Sequence, residues 1–170
     1  MKKIFLVFLC TLFLPITSGC KRVDNTTKYN MQLNLKENIL YGEMQVELTL
    51  ATNGFVDFNL FGVAYKENAT FFAVEQEYLP TVKNYGDMQI MAVNSSKFVA
   101  YELVENNALL RVYLNAKKGQ RVNVYINFKV TLSNFCHRLS SDIDTINLGN
   151  FYPILCVYEN GYTYCPYYNI

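Results

Sequence analysis

The chain has no tryptophan and a single histidine, His137. One histidine excludes every metal motif that needs two, HExxH among them, where imidazoles at i and i+4 face one zinc and the glutamate between them serves as general base. It also leaves His137 as the only base for a Ser/His/Asp or Cys/His nucleophilic site. Its surroundings, Asn134-Phe135-Cys136-His137-Arg138, supply no partners: strand neighbours point to opposite faces, and no spaced His/Cys set completes a tetrahedron. His137 therefore reads as a surface or loop residue. Basic blocks are missing too, and with them the electrostatic footprint of a nucleic-acid binder. No apolar run approaches the roughly 20 residues that span a bilayer. There is no internal repeat, no low-complexity tract and no long segment of period 3.6. What the chain does hold is apolar and aromatic: 51% hydrophobic and 17% charged residues, 14 tyrosines and 12 phenylalanines, a globular composition sized for one domain.

The N-terminus reads as a secretory signal. Lys2 and Lys3 precede the apolar run 4–14, Pro15 breaks it, and Thr17-Ser18-Gly19 supplies small residues before Cys20. The Gly-Cys ending resembles a bacterial lipoprotein lipobox, in which the cysteine thiol takes a diacylglycerol and becomes the new N-terminus. Thr17 departs from the leucine usual three residues before that cysteine, and an ordinary signal with a chance cysteine is the other reading. Residues 1–19 are then a lipoprotein signal peptide, and 20–28 a lipidated cysteine with a polar tether. Residues 29–170 form the domain, held at an extracytoplasmic membrane surface. Two or more acyl chains would make the anchor stable. Cleavage removes two lysines and no acid, shifting the formal charge from +1 to −1.

Three cysteines remain after the signal and the lipidated position: Cys136, Cys156 and Cys165. Asn160-Gly161, between Val157-Tyr158 and Thr163-Tyr164, is the strongest hairpin signal in the chain. With Glu159 and Tyr162 as its closing pair, Cys156 stands opposite Cys165 at a non-hydrogen-bonded position, where the Cα atoms are closer and a disulfide fits sterically. Two reduced, half-buried thiols are the alternative.

Alternation at period two sets the fold class. Tyr29, Met31, Leu33 and Leu35 alternate with polar residues, Glu37-Asn38 turns, and Met44, Val46, Leu48 and Leu50 pair back as a hairpin. After Asn53-Gly54 come Val56, Phe58 and Leu60; then Met88, Ile90 and Ala92; then Val99, Tyr101 and Leu103. Past Asn106-Asn107, Ala108, Leu110, Val112 and Leu114 lead through Lys117-Lys118-Gly119-Gln120 into Val122, Val124, Ile126, Phe128 and Val130, which reads as the clearest hairpin. Short strands at short intervals predict an all-β domain, an antiparallel or mixed β-sandwich, with helix a minor component. Residues 63–82 are the least legible.

Other chemistry is thin. Asp142 and Asp144 share a strand-like spacing of two, but the glycine and glutamate of an EF-hand loop are missing, so a solvated loop is expected. Glu75 and Glu77 invite a glycosidase argument, yet no carboxylate separation can be read from sequence. Tyrosines 152, 158, 162, 164, 167 and 168 crowd the end of the chain, where they could offer a sugar or peptide platform. Packing with the hydroxyl at an edge explains them as well. Asn25, Asn68 and Asn94 open N-glycosylation patterns, which a bacterial lipoprotein would leave unmodified.

The run Asn147-Leu148-Gly149-Asn150-Phe151-Tyr152-Pro153-Ile154-Leu155, followed by Tyr158-Glu159, resembles a segment of the N-terminal β-domain of M1-family zinc aminopeptidases, in a branch from Gram-positive bacteria. The 29–50 hairpin and the stretch Asn115-Ala116-Lys117-Lys118-Gly119-Gln120-Arg121-Val122 resemble other parts of that domain with less specificity. The resemblance implies a saddle-like sandwich lacking its closing strands, ahead of a thermolysin-like domain that would bring HExxH, the third zinc ligand and the catalytic tyrosine. Zinc would belong to that domain alone, and residues 29–170 would carry no catalytic or metal residue. The implied role is non-catalytic: packing over the catalytic domain and limiting access to its cleft. The alternative is a self-sufficient surface lipoprotein whose sandwich binds a peptide, glycan or protein.

Overall fold

The computed structural model describes residues 26–69, 74, 79–142, 144–159 and 162–164. Cys20, Glu75, Glu77, Asn160, Gly161, Cys165, Tyr167 and Tyr168 lie outside them, so the lipid attachment, the paired glutamates and the second half of the proposed disulfide do too. The described residues form strands β1 (Lys28–Lys36), β2 (Ile39–Thr49), β3 (Phe55–Asn59), β4 (Asp87–Asn94), β5 (Phe98–Val104), β6 (Leu109–Leu114), β7 (Arg121–Thr131), β8 (Leu139–Ser141), β9 (Ile146–Leu148), β10 (Ile154–Leu155), β11 (Val157–Glu159) and β12 (Tyr162–Tyr164), with a 3₁₀ turn at Phe61–Tyr65. The fold is all-β and sandwich-like. One sheet has the order β1-β2-β7-β4 and the other β10-β3-β6-β5, with two small hairpins, β8-β9 and β11-β12. Every named strand pair is antiparallel.

The alternation read from sequence becomes rows of apolar side chains across the first sheet. Leu35, Leu40, Val130 and Met88 form one row; Met31, Met44, Ile126 and Val93 form another. Between them, Leu33 and Gly42 lead to Phe128 and Ile90. Gly42 is there for room: a Cβ at that position would lie 2.1 Å from Cζ of Phe128, whose ring covers the glycine. In the second sheet Leu155, Phe58, Leu110 and Leu103 align, as do Val56, Val112 and Tyr101. Both inner faces join one core in which Val46, Phe58, Leu110, Val112, Val124, Ile126 and Val130 are fully buried. Each such side chain contributes roughly 1.5–3 kcal/mol of transfer free energy.

One expectation fails. The segments ending at Leu114 and beginning at Val122 are not a hairpin: β6 pairs with β3 and β5, and β7 with β2 and β4, so the chain crosses from one sheet to the other between them. Alternating strands joined by a glycine turn look the same in sequence whether they pair edge to edge or stack face to face. The crossing is held by backbone bonds to the parallel crossing after β2: Gly119 N donates to Leu50 O at 2.8 Å, and Leu50 N to Gln120 O at 2.9 Å. Gly119 sits at φ +83°, where glycine has no Cβ penalty. Within 63–82, the described residues contain no strand.

The sandwich is open along its margins. Leu33 and Leu35 share a face with buried residues of β2, yet are 46% and 40% exposed. Tyr101 and Leu103, opposite the buried Val112 and Leu110, are each 41% exposed on the edge strand β5.

Candidate functional site

The 147–155 run links the β8-β9 hairpin to the edge of the second sheet, and several of its residues have a visible structural task. Asn147 Nδ2 donates to Ser140 Oγ at 3.1 Å, tying β9 to β8. Gly149 N donates to Arg138 O at 2.7 Å, and a Cβ there would lie 2.9 Å from Arg138 Cβ and 3.0 Å from its carbonyl oxygen. Asn150 takes φ 56°, the left-handed conformation that asparagine tolerates better than most residues. Phe151 packs edge-on against Tyr152 at 5.2 Å, and Tyr152 against Tyr29 at 5.5 Å. Pro153 is buried. Then Leu155 N donates to Tyr29 Oη at 3.0 Å, joining the run to the first strand of the other sheet. Burial pushes the Tyr29 phenol above its ordinary value, against the opposing pull of the Leu155 N–H.

Beside this run is an open concavity of about 610 Å³ lined by Cys136, His137, Arg138, Ile146, Asn147, Leu148 and Gly149. His137 does lie in a loop, but it is half-buried, and its Nδ1 is 2.6 Å from Tyr65 Oη. Burial raises the Tyr65 phenol to about 12. The two side chains share one hydrogen bond whose donor is set by the imidazole tautomer: the hydroxyl donates when Nδ1 is bare and accepts when Nδ1 carries the proton. Burial first, and the neighbouring Arg138 second, lower the His137 pKa from its ordinary value. The hydrogen bond to Tyr65 orients the ring. Among the described residues no hydroxyl or thiol other than that phenol is hydrogen-bonded to the imidazole, and the adjacent Cys136 is an exposed free thiol. Ile146 and Leu148, on the rim, are 44% and 37% exposed.

The remaining sequence candidates do not converge on this place. Asp142 and Asp144 are exposed at the tip of the β8-β9 hairpin, where Asp142 N donates to Thr145 O at 2.8 Å. Among the described residues no group of three His, Cys, Asp or Glu side chains could hold a metal ion. The β11-β12 register has Glu159 opposite Tyr162 and Val157 opposite Tyr164, the pairing expected of an Asn160-Gly161 turn. Cys156 is half-buried, with its N–H donating to Asp57 O at 2.9 Å.

One polar feature escaped the sequence reading. Asp57, on β3, points away from the core yet is 4% exposed, and its carboxylate takes two bonds from Arg111 of β6, from Nε and Nη2, each at 2.9 Å. The guanidinium also lies 4.5 Å from the Phe55 ring centroid. Its side-chain bond to Asp57 chiefly raises the Arg111 pKa. The sequence signal was an acid and a base at outward positions of two otherwise apolar strands, Val56-Asp57-Phe58 and Leu110-Arg111-Val112. Only the register makes them partners.

No family model, curated protein or solved structure matches the chain.

Proposed function

We propose that this sandwich is the non-catalytic N-terminal domain of a membrane-anchored, M1-like zinc metallopeptidase, packing against a catalytic domain and shaping access to its cleft. The observation that carries the reading is the conduct of the 147–155 run. Its glycine, asparagine, aromatic and proline positions serve backbone approach, a left-handed turn and packing between sheets. A motif spent on joining parts of a fold suits a structural module. Exposed Ile146 and Leu148 beside the concavity, with Tyr101 and Leu103 on the β5 margin, offer apolar surface for a neighbouring domain to cover. Cys20 would hold the assembly to the membrane, and zinc would be bound by the catalytic domain.

The coding sequence downstream tests this directly. An HExxH within the next few hundred codons, in frame or after one frameshift, is the expected result; a stop followed by an unrelated gene would overturn the reading. At the bench, the purified chain should hold no stoichiometric zinc by emission spectroscopy and turn over no aminoacyl reporter. Zinc-dependent turnover would refute the non-catalytic assignment. Cys20→Ser should abolish labelling by a fatty-acid analogue and release the protein from membranes.

A further inference from the structure

The outer strands of the two large sheets are not alike. β4 and β5 each carry a register shift, between Ile90 and Ala92 and between Phe98 and Ala100, and β10 is two residues long. Bulges and shortness are devices by which sheet edges avoid pairing with other chains. β1 has neither. It is nine residues long, runs in unbroken register with β2, holds no proline, and is charged only at its ends, Lys28 and Lys36.

The turn after β1 decides which of its backbone groups are free. Lys36 and Ile39 close the two-residue turn Glu37-Asn38 and so form a hydrogen-bonded pair, and the bonds to β2 recur at Asn34, Gln32, Asn30 and Lys28. The N–H and C=O groups of Tyr29, Met31, Leu33 and Leu35 therefore point to the open side, and among the described residues no backbone bond meets them there. The same residues carry the apolar side chains. Leu33 and Leu35 are 46% and 40% exposed, and the cross-strand neighbour of Leu33 is Gly42, which has no side chain to offer.

We propose that β1 pairs antiparallel with β1 of a second copy of this chain, joining two four-stranded sheets edge to edge. Two-fold symmetry permits few registers. Centred on Leu33, each Leu33 opposes its counterpart and each Met31 opposes Leu35 of the second copy, every such pair exchanging two hydrogen bonds through groups that already point outward. On the other face Gln32 meets Asn34 and Asn30 meets Lys36, with no like charges opposed. A centre at Gln32 would instead set Lys28 against Lys36 at both ends, which is unfavourable. This self-match favours a second copy over an unrelated strand: any strand could use the backbone groups, but β1 meets its own sequence apolar to apolar and polar to polar. The edge stands independently of whether the sandwich packs on a catalytic domain.

The test is amide hydrogen exchange on the full chain in detergent micelles, carrying Val99→Lys to suppress association through β5, at two protein concentrations about a hundredfold apart. At the higher one the amides of Met31, Leu33 and Leu35 should exchange about tenfold more slowly, while those of Gln32 and Asn34, bonded to β2 in either state, stay unchanged. Sedimentation velocity should show a dimer and nothing larger. Leu33→Lys, at an exposed position, should abolish both effects. Asn30→Lys sets an ammonium against Lys36 of the second copy at both ends of the ladder and should weaken the dimer about fivefold. That substitution touches only the polar face, so it serves where L33K does not fold. The proposal is overturned by any of three results: equal exchange of the three amides at both concentrations, a dimer whose concentration-dependent protection lies outside β1, or a folded N30K chain that dimerises as tightly as its parent.

Discussion

The Asp57–Arg111 pair should be worth more to this fold than an ordinary ion pair, and a double-mutant cycle can measure it. Arg111→Met keeps the length and apolar stem of the side chain while removing both guanidinium bonds to a carboxylate whose side chain is 1% exposed. Removing one partner of a buried pair costs about 3–5 kcal/mol, because the remaining charge has lost its compensation inside the protein. Arg111 is itself 29% exposed, so water screens part of the interaction and the lower figure, about 3 kcal/mol, is the better expectation. The cation over the Phe55 ring adds about 0.5–1 kcal/mol at such a site. Asp57→Asn retains one acceptor for the guanidinium and should cost about 1.5–3 kcal/mol, the value of charge-assisted bonds. The double variant D57N/R111M leaves no buried charge, so it should be more stable than the sum of the singles predicts by about 1.5–3 kcal/mol. Urea unfolding followed by tyrosine fluorescence reads this well: a 3 kcal/mol loss moves the midpoint by about 1–3 M. A cost below about 1 kcal/mol for R111M, or additivity within about 0.5 kcal/mol, would refute the claim that the pair is buried and coupled.

Three further outcomes follow from the geometry. Gly42→Ala forces a methyl into the Phe128 ring, and the overpacking should destabilise by about 1–3 kcal/mol in the same urea assay, whereas G42A/F128L should recover part of that loss. Because the folded-state pKa of His137 lies below the ordinary value of 6.5, the unfolded chain takes up the proton first; its contribution is complete above about pH 6.5 and is lost as pH falls through the lower folded value. His137→Gln should therefore flatten the wild-type stability slope in that window, and a slope unchanged by the substitution counts against burial of the imidazole beside Arg138 as its origin. Val99→Lys, at a 61% exposed position on the edge strand β5, should reduce concentration-dependent association in sedimentation velocity.

The sequence was most legible where a single strand carries the information. The alternation of Val122, Val124, Ile126, Phe128 and Val130 depends only on the chain facing a core on one side, and β7 follows it along its whole length. Pairing was legible where a short turn dictates the register, as at Glu37-Asn38, where Lys36 faces Ile39. It was misread between β6 and β7, because stacking and pairing impose the same period. The second face of a sheet is the harder case. Asp57 and Arg111 occupy positions that alternation assigns to solvent; Asp57 is buried nonetheless, and Cys156 N donates to its backbone O across a sequence separation near one hundred residues.

His137 shows why a residue's chemistry and its role separate in this fold. As the only histidine it drew attention as a candidate base, yet a base must leave one nitrogen available to a reacting group and have a nucleophile within reach. Nδ1 is held 2.6 Å from Tyr65 Oη, and among the described residues no serine, threonine or cysteine is hydrogen-bonded to the ring. The bond joins the loop after β7 to the 3₁₀ turn after β3, and the same loop accepts the Gly149 N–H through Arg138. One imidazole thus helps fix the surface against which the 147–155 run lies. Specificity in that run and oriented polarity at His137 then have a common cause, the joining of the last described strands to the sandwich. The particular residues of the run have geometric tasks: Asn147 ties β9 to β8, Gly149 admits the Arg138 backbone, and Tyr152 packs on Tyr29.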